Sequence, residues 1–148
     1  MNKFSFWLRW LLVVGVTICI FGIIMAFLSG TVLFKPLNSQ INPVFWDTKD
    51  VDGAVKGYQQ WIMGVLGATM TSWGIFVLFI VHYPFRNKEK WSWNCLIAGL
   101  LVWFFIDNSI SLYFRVYFNA IFNTILFVLV MLPLVFTRKC FVEMPDME

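Results

Sequence analysis

The sequence predicts an all-α membrane protein, a four-transmembrane antiparallel helix bundle, and three observations carry that expectation. Hydrophobic residues make up 60% of the 148 positions and charged residues 13%, whereas roughly a quarter of a soluble domain is charged. Charge-free runs occupy residues 10–28, 57–85, 91–106 and 116–137, each near the roughly 20 residues with which a helix crosses a bilayer. The connections "HYPFRNKEK" and "FRVY" are short enough to force their flanking helices antiparallel. The spans are therefore placed at 7–29, 57–84, 91–113 and 116–137, in one domain covering 1–148 with a single long loop at 30–56.

Trp7 and Trp10 open the first span, as indole rings gather at headgroup level with an apolar body and a wet N–H. The stretch from Lys3 to Arg9 and its apolar continuation imitate a signal peptide. The run at 10–28 outlasts the roughly 7–15 residues of such a core, and "AFLSG" is a poor cleavage motif, so a retained first helix is expected. The loop that follows, "KPLNSQINPVFWDTKDVDG", is rich in Pro and Asn and reads as irregular, with Phe45 and Trp46 returning to the interface. A connection of this length commonly covers or binds something. A cap over the outer face and a passive loop pinned by two aromatics are both compatible with it.

Tyr58 and Trp61 begin the second span. Within it Gly57, Gly64, Gly67, Thr71 and Gly74 are separated by 7, 3, 4 and 3 positions, which keeps them on one helix face. Helices in lipid associate through such small-residue stripes because they gain no hydrophobic drive from one another. Bulky side chains such as Trp103 or Phe104 are expected to seat against this one. Pro84 reads as a helix stop and Pro133 as a bend in the fourth span. Trp91 and Trp93 open the third span, and Tyr113 and Tyr117 bracket the last turn. The tail "CFVEMPDME" reads as a frayed acidic end.

Basic residues set the expected orientation. Lys3, Arg9, Arg86, Lys88, Lys90, Arg138 and Lys139 fall on one side of the four spans; Lys35, Lys49, Lys56 and Arg115 fall on the other. The positive-inside bias then puts both termini in the cytoplasm and 30–56 outside; a bacterial inner (plasma) membrane is the expected location, inferred and not read from the residues. The net charge of +3 follows from this flanking pattern and supplies no nucleic-acid surface.

Asp107 is the one acid within the spans, set in "WFFIDNSISLYFRVYFNAIFN". It lies six positions before Tyr113, about 9 Å below the outer boundary at ~1.5 Å per residue. Asp107, Ser111 and Arg115 are spaced i, i+4, i+8, and Asn119 and Asn123 i, i+4, so five polar groups can converge at one depth with Arg115 as counter-charge. Asn108 sits beside them. An ionisable group in hydrocarbon costs about 2.5–3.5 kcal/mol on insertion scales and is by default a functional hypothesis; the alternative is a structural clasp between spans three and four.

Other chemistry is not indicated. Cys19, Cys95 and Cys140 are isolated and read as small buried hydrophobes. His82, across the membrane from Asp107, reads as an interface anchor. No catalytic set, metal-ligand spacing, phosphate loop or cofactor motif is present in the sequence. At "YPFRNKEKWSW", "WFFIDNSISL" and "LPLVFTRK" the chain resembles small four-span bacterial inner-membrane proteins and, loosely in architecture, the DoxX-like family. That resemblance implies a four-span fold and a link to quinone or thiol oxidation, and carries over no site residue.

The leading expectation is a non-enzymatic membrane protein, a binder or accessory subunit, with an outer-half pocket where Asp107, Ser111, Asn119 and Asn123 meet the glycine stripe and take a small ligand, lipid headgroup or proton. The alternative is a scaffold that packs on a larger membrane complex through the glycine face. An intramembrane enzyme or transporter is the weaker third. The expected partners are the lipid bilayer and a membrane protein or a second copy of the chain.

Overall fold

The computed structural model describes residues 3–142. Its elements are α1 (Lys3–Leu28), a 3-10 turn (Val32–Phe34), α2 (Lys35–Trp46), α3 (Gly53–Ile80) continued by a π-turn (Val81–Phe85), α4 (Lys90–Tyr113), α5 (Tyr117–Thr137) and α6 (Lys139–Val142). Four helical stretches, Lys3–Leu28, Gly53–Phe85, Lys90–Tyr113 and Tyr117–Thr137, are long and apolar enough to cross a membrane. The chain is an all-α four-helix bundle of the multi-pass membrane kind. Helix α3 starts ahead of its apolar run because the Asp52 side chain accepts the Val55 N–H at 2.8 Å, satisfying one of the free donors of the first turn.

The helices pack as α1 on α3, α4 on α5, and α1 on α5, while α3 and α4 meet little along their lengths. The pair α1 and α3 lies backbone to backbone. A Cβ built on Gly67 would stand 2.5 Å from both Ala26 N and Gly22 O, and one on Gly74 would stand 2.6 Å from Cys19 Sγ. The expected partners of the α3 stripe are therefore corrected. Trp103 meets Trp73 instead, with ring centroids 5.7 Å apart, and Phe104 stacks on Phe127 at 4.1 Å. The reason is that α1 carries its own small-residue row, Gly15, Cys19, Gly22 and Ala26, and two small rows approach more closely than a small row and an indole. Thr71 closes onto Gly67 O at 2.8 Å. Gly64 lies at the edge of the seam, and Gly57 lies outside it with nothing within 4 Å of a built Cβ. A stripe already filled by α1 offers little surface to a larger complex.

The prolines are met by specific partners. Pro133 has no N–H for the carbonyl of Leu129, four residues earlier. Trp10 supplies the missing donor, its Nε1 reaching Leu129 O at 2.9 Å. Trp93 Nε1 donates to Leu134 O at 2.8 Å, and the Thr137 hydroxyl to Pro133 O at 2.6 Å. Both indoles are half-buried and bridge helices, so an interface belt describes them incompletely. Pro84 is not a stop: the widened π-turn carries α3 on to Phe85, a common way for a helix to absorb an irregularity.

Two further expectations change. Residues 30–56 are largely helical, since Pro36 in the first turn of α2 is a favoured starting residue. Asn42, buried, pins α2: its Nδ2 donates to Lys49 O at 2.8 Å and its Oδ1 accepts from Gln59 Nε2 at 2.7 Å. Phe45 then meets Phe114 beyond the far hairpin at 5.6 Å, so α2 crosses the end of the bundle. At the opposite end the start of the tail is ordered: Phe141 is buried against Phe85, 4.7 Å between centroids. The rest of the expected frayed end, residues 143–148, lies outside the described residues. Cys95 is exposed on the bundle surface instead of buried.

Replacing Gly67 with Ala should lower stability by about 1–3 kcal/mol, the cost of overpacking, while Gly57→Ala should be neutral or slightly stabilising; unfolding titrations in mixed micelles report both. Trp10→Phe should cost about 1–3 kcal/mol by orphaning the Leu129 carbonyl. In a Pro133→Ala background the restored N–H should take that carbonyl, and the Trp10→Phe penalty should shrink, read as coupling in a double-mutant cycle.

Candidate functional site

Asp107 stands on α4, one and a half turns before the helix ends, and its side chain turns toward α5. A single oxygen, Oδ1, accepts from Asn119 Nδ2 at 2.8 Å, from Asn123 Nδ2 at 2.8 Å and from Ser111 Oγ at 3.1 Å. The second N–H of Asn119 goes to Ser111 Oγ at 2.8 Å. Ser111 shares its proton between Oδ1 and the Asp107 carbonyl, at 2.8 Å, one turn earlier. The i, i+4 spacing on each helix aligns these groups, and the tight α4–α5 turn brings the two rows to one level. Ser111 and Asn123 are buried, and Asp107 and Asn119 are half-buried.

Arg115 does not join them. It was expected on the Asp107 face two turns along, but α4 ends at Tyr113 and Arg115 takes a left-handed conformation, φ 61°. The N–H of Val116 bonds back to Ser111 O at 2.8 Å and that of Arg115 to Leu112 O at 3.1 Å, the pairing of a Schellman helix terminus in which position C′ must be left-handed. Occupying that position throws the guanidinium off the helix face, exposed and without an ion pair to Asp107. Asn108 also stays apart. Its Oδ1 is sealed from solvent and has no hydrogen-bond partner.

The other carboxylate oxygen is spare. Oδ2 of Asp107 makes no hydrogen bond and is not sealed within the protein. Asp107 contributes to a shallow groove of about 320 Å³ with Trp103, Ile106 and Ile110. Trp103 apart, this is a groove on the open side of α4, left uncovered because α3 and α4 diverge. The glycine stripe, turned to α1, is not one of its walls. Chemically the groove offers an aromatic face, two aliphatic side chains and one acceptor atom. It suits an amphiphile whose polar end donates a hydrogen bond.

Elsewhere the described residues bring no group of three His, Cys, Asp or Glu side chains together for a metal. His82 is exposed and contacts Tyr83 edge-on at 4.8 Å, at the other end of the bundle from Asp107. No family model matches the chain, and no curated protein or solved structure matches it either.

Removing Asp107 by Asp107→Ala strands two asparagine donors and should cost about 1–2 kcal/mol, at ~0.6 kcal/mol or more for each interhelical bond in lipid. Asp107→Asn keeps an acceptor for both and should cost less than half as much; the same unfolding assay separates them.

Proposed function

We propose that the chain is a non-enzymatic membrane protein of the plasma membrane, termini inward, that binds a small amphipathic ligand or lipid headgroup at Asp107 in the outer half of the bundle. The observation that carries this reading is the division of labour within one carboxylate. Oδ1 is saturated by Ser111, Asn119 and Asn123, while Oδ2 has no protein partner. A structural clasp needs only the first oxygen. A carboxyl oxygen without a protein partner at the edge of a groove lined by Trp103, Ile106 and Ile110 favours a ligand with an ammonium or hydroxyl end and an apolar body, because a hydrogen bond is stronger where water is scarce.

Asp107→Asn separates binding from packing. It retains an acceptor for the clasp and presents an N–H₂ in place of the free oxygen. Titration of the full chain in neutral detergent with dodecylamine, followed by native mass spectrometry, should show wild-type affinity at least about tenfold above that of Asp107→Asn, since hydrogen bonds to charged groups contribute about 1.5–3 kcal/mol. Dodecanoate, which carries no donor at neutral pH, should not bind the wild type. Equal dodecylamine affinity in the two proteins would remove the proposal.

A further inference from the structure

A second cavity, of about 580 Å³, lies between the end of α1, helix α2 and the start of α3. Its rim carries Lys35, Lys49 and Lys56 against one acid, Asp50, a surplus of two positive charges. None of the three ammonium groups has an ion pair or hydrogen bond in the structure. Of the other loop acids that alternate with these lysines in sequence, Asp52 caps α3 through Val55 N, and neither Asp52 nor Asp47 lines the cavity.

The amides complete the lining. Asn42 and Gln59 bond to each other and hold the wall in place, but Asn38 and Gln60, also on the cavity, have no partner of their own. Gln60 folds over Gly30, where a built Cβ would lie 2.6 Å from its Nε2, so the glycine makes room for that amide at the cavity mouth. Met63, nearly three turns into α3, and Val32 give the lower wall an apolar character. The cavity thus lies where one candidate membrane span ends and the next begins.

We propose that this cavity binds an anionic phosphate group, held by Lys35, Lys49 and Lys56 as point charges and by the free amides of Asn38 and Gln60 as donors. Lysine suits phosphate because its three rotatable donors need no fixed planar geometry. The phosphate can belong to an anionic phospholipid of the surrounding leaflet, with its glycerol backbone along Val32 and Met63, or to a soluble phosphate compound. Binding here is independent of Asp107, which belongs to α4.

Calorimetric titration of the full chain in neutral detergent tests this with dihexanoyl phosphatidylglycerol, dihexanoyl phosphatidylcholine and inorganic phosphate. Phosphatidylglycerol should bind tighter than phosphatidylcholine, and each Lys→Gln change at 35, 49 or 56 should weaken it by about fivefold, the contribution of one basic side chain near an anionic surface. Asp50→Asn should tighten it by a similar factor, a gain that a merely structural role for the loop would not produce. Inorganic phosphate binding as tightly as the anionic lipid assigns the site to a soluble phosphate; its failure to bind assigns it to lipid. Equal affinity for the two lipids with no phosphate heat, or lysine and Asp50 substitutions without effect, would overturn the proposal.

Discussion

In hydrocarbon every backbone polar group must find a partner inside the protein, because an unpaired carbonyl there costs several kcal/mol. The bundle is arranged around that constraint. Pro133 would open the α5 ladder at Leu129 O, and Trp10 of α1 closes it. In the last turn of α5, Trp93 of α4 donates to Leu134 O and the Thr137 hydroxyl to Pro133 O. Pro84 is absorbed differently, by widening the helix into a π-turn before the chain reverses. Each repair that uses an indole also ties one helix to another, so satisfying the backbone and assembling the bundle are one process at this end of the molecule.

Two modes of association divide the bundle. The α1–α3 pair is joined by proximity: glycines on both sides let the backbones touch, and dispersion over a long seam does the work. Helix α4 has no such row. It is fastened to α5 by polar contacts near both ends, Trp93 to Leu134 O at one and Asp107 to Asn119 and Asn123 at the other, with Leu96 and Leu100 buried between them. This contrast explains why the polar residues of the spans collect on α4 and α5, and why α4 stands away from α3 with a groove beside Asp107. Helix α4 is held mainly on its α5 side, so its other flank stays open.

How much of this could be read from the chain follows from the range of each signal. The four spans were legible because hydropathy over some twenty residues is a sum of many small terms. The meeting of Asp107 with Asn119 and Asn123 was legible because a short turn fixes the relative depth of two antiparallel helices. Arg115 was misplaced because a residue other than Gly at a Schellman C′ position leaves no mark in the sequence. The partner of the α3 stripe was missed although Gly15, Gly22 and Ala26 were in view, since matching two small-residue rows requires comparing helices, not reading one. Proline in the loop at 30–56 was taken as a breaker, when at Pro36 its position in the first turn made it a helix starter. The lysine cavity was hidden for a different reason: local alternation of Lys and Asp looks neutral until the folded chain shows that three of the lysines and only one of the acids line it.

The identity of residue 107 bears most directly on function. Had the site been a clasp alone, asparagine would have satisfied it, because its single carbonyl oxygen can accept from Ser111, Asn119 and Asn123 as Oδ1 does here, without an ionisable group to desolvate. Aspartate and asparagine at this place differ in being ionisable or not and in the atom turned away from the clasp, an acceptor in one and a donor in the other. A carboxylate carries an insertion cost in lipid that an amide would reduce, and no cation of the protein stands beside it to offset that cost, Arg115 having been carried off by the turn. What the more expensive residue adds is confined to the groove with Trp103, Ile106 and Ile110, which is the support for the ligand site proposed there.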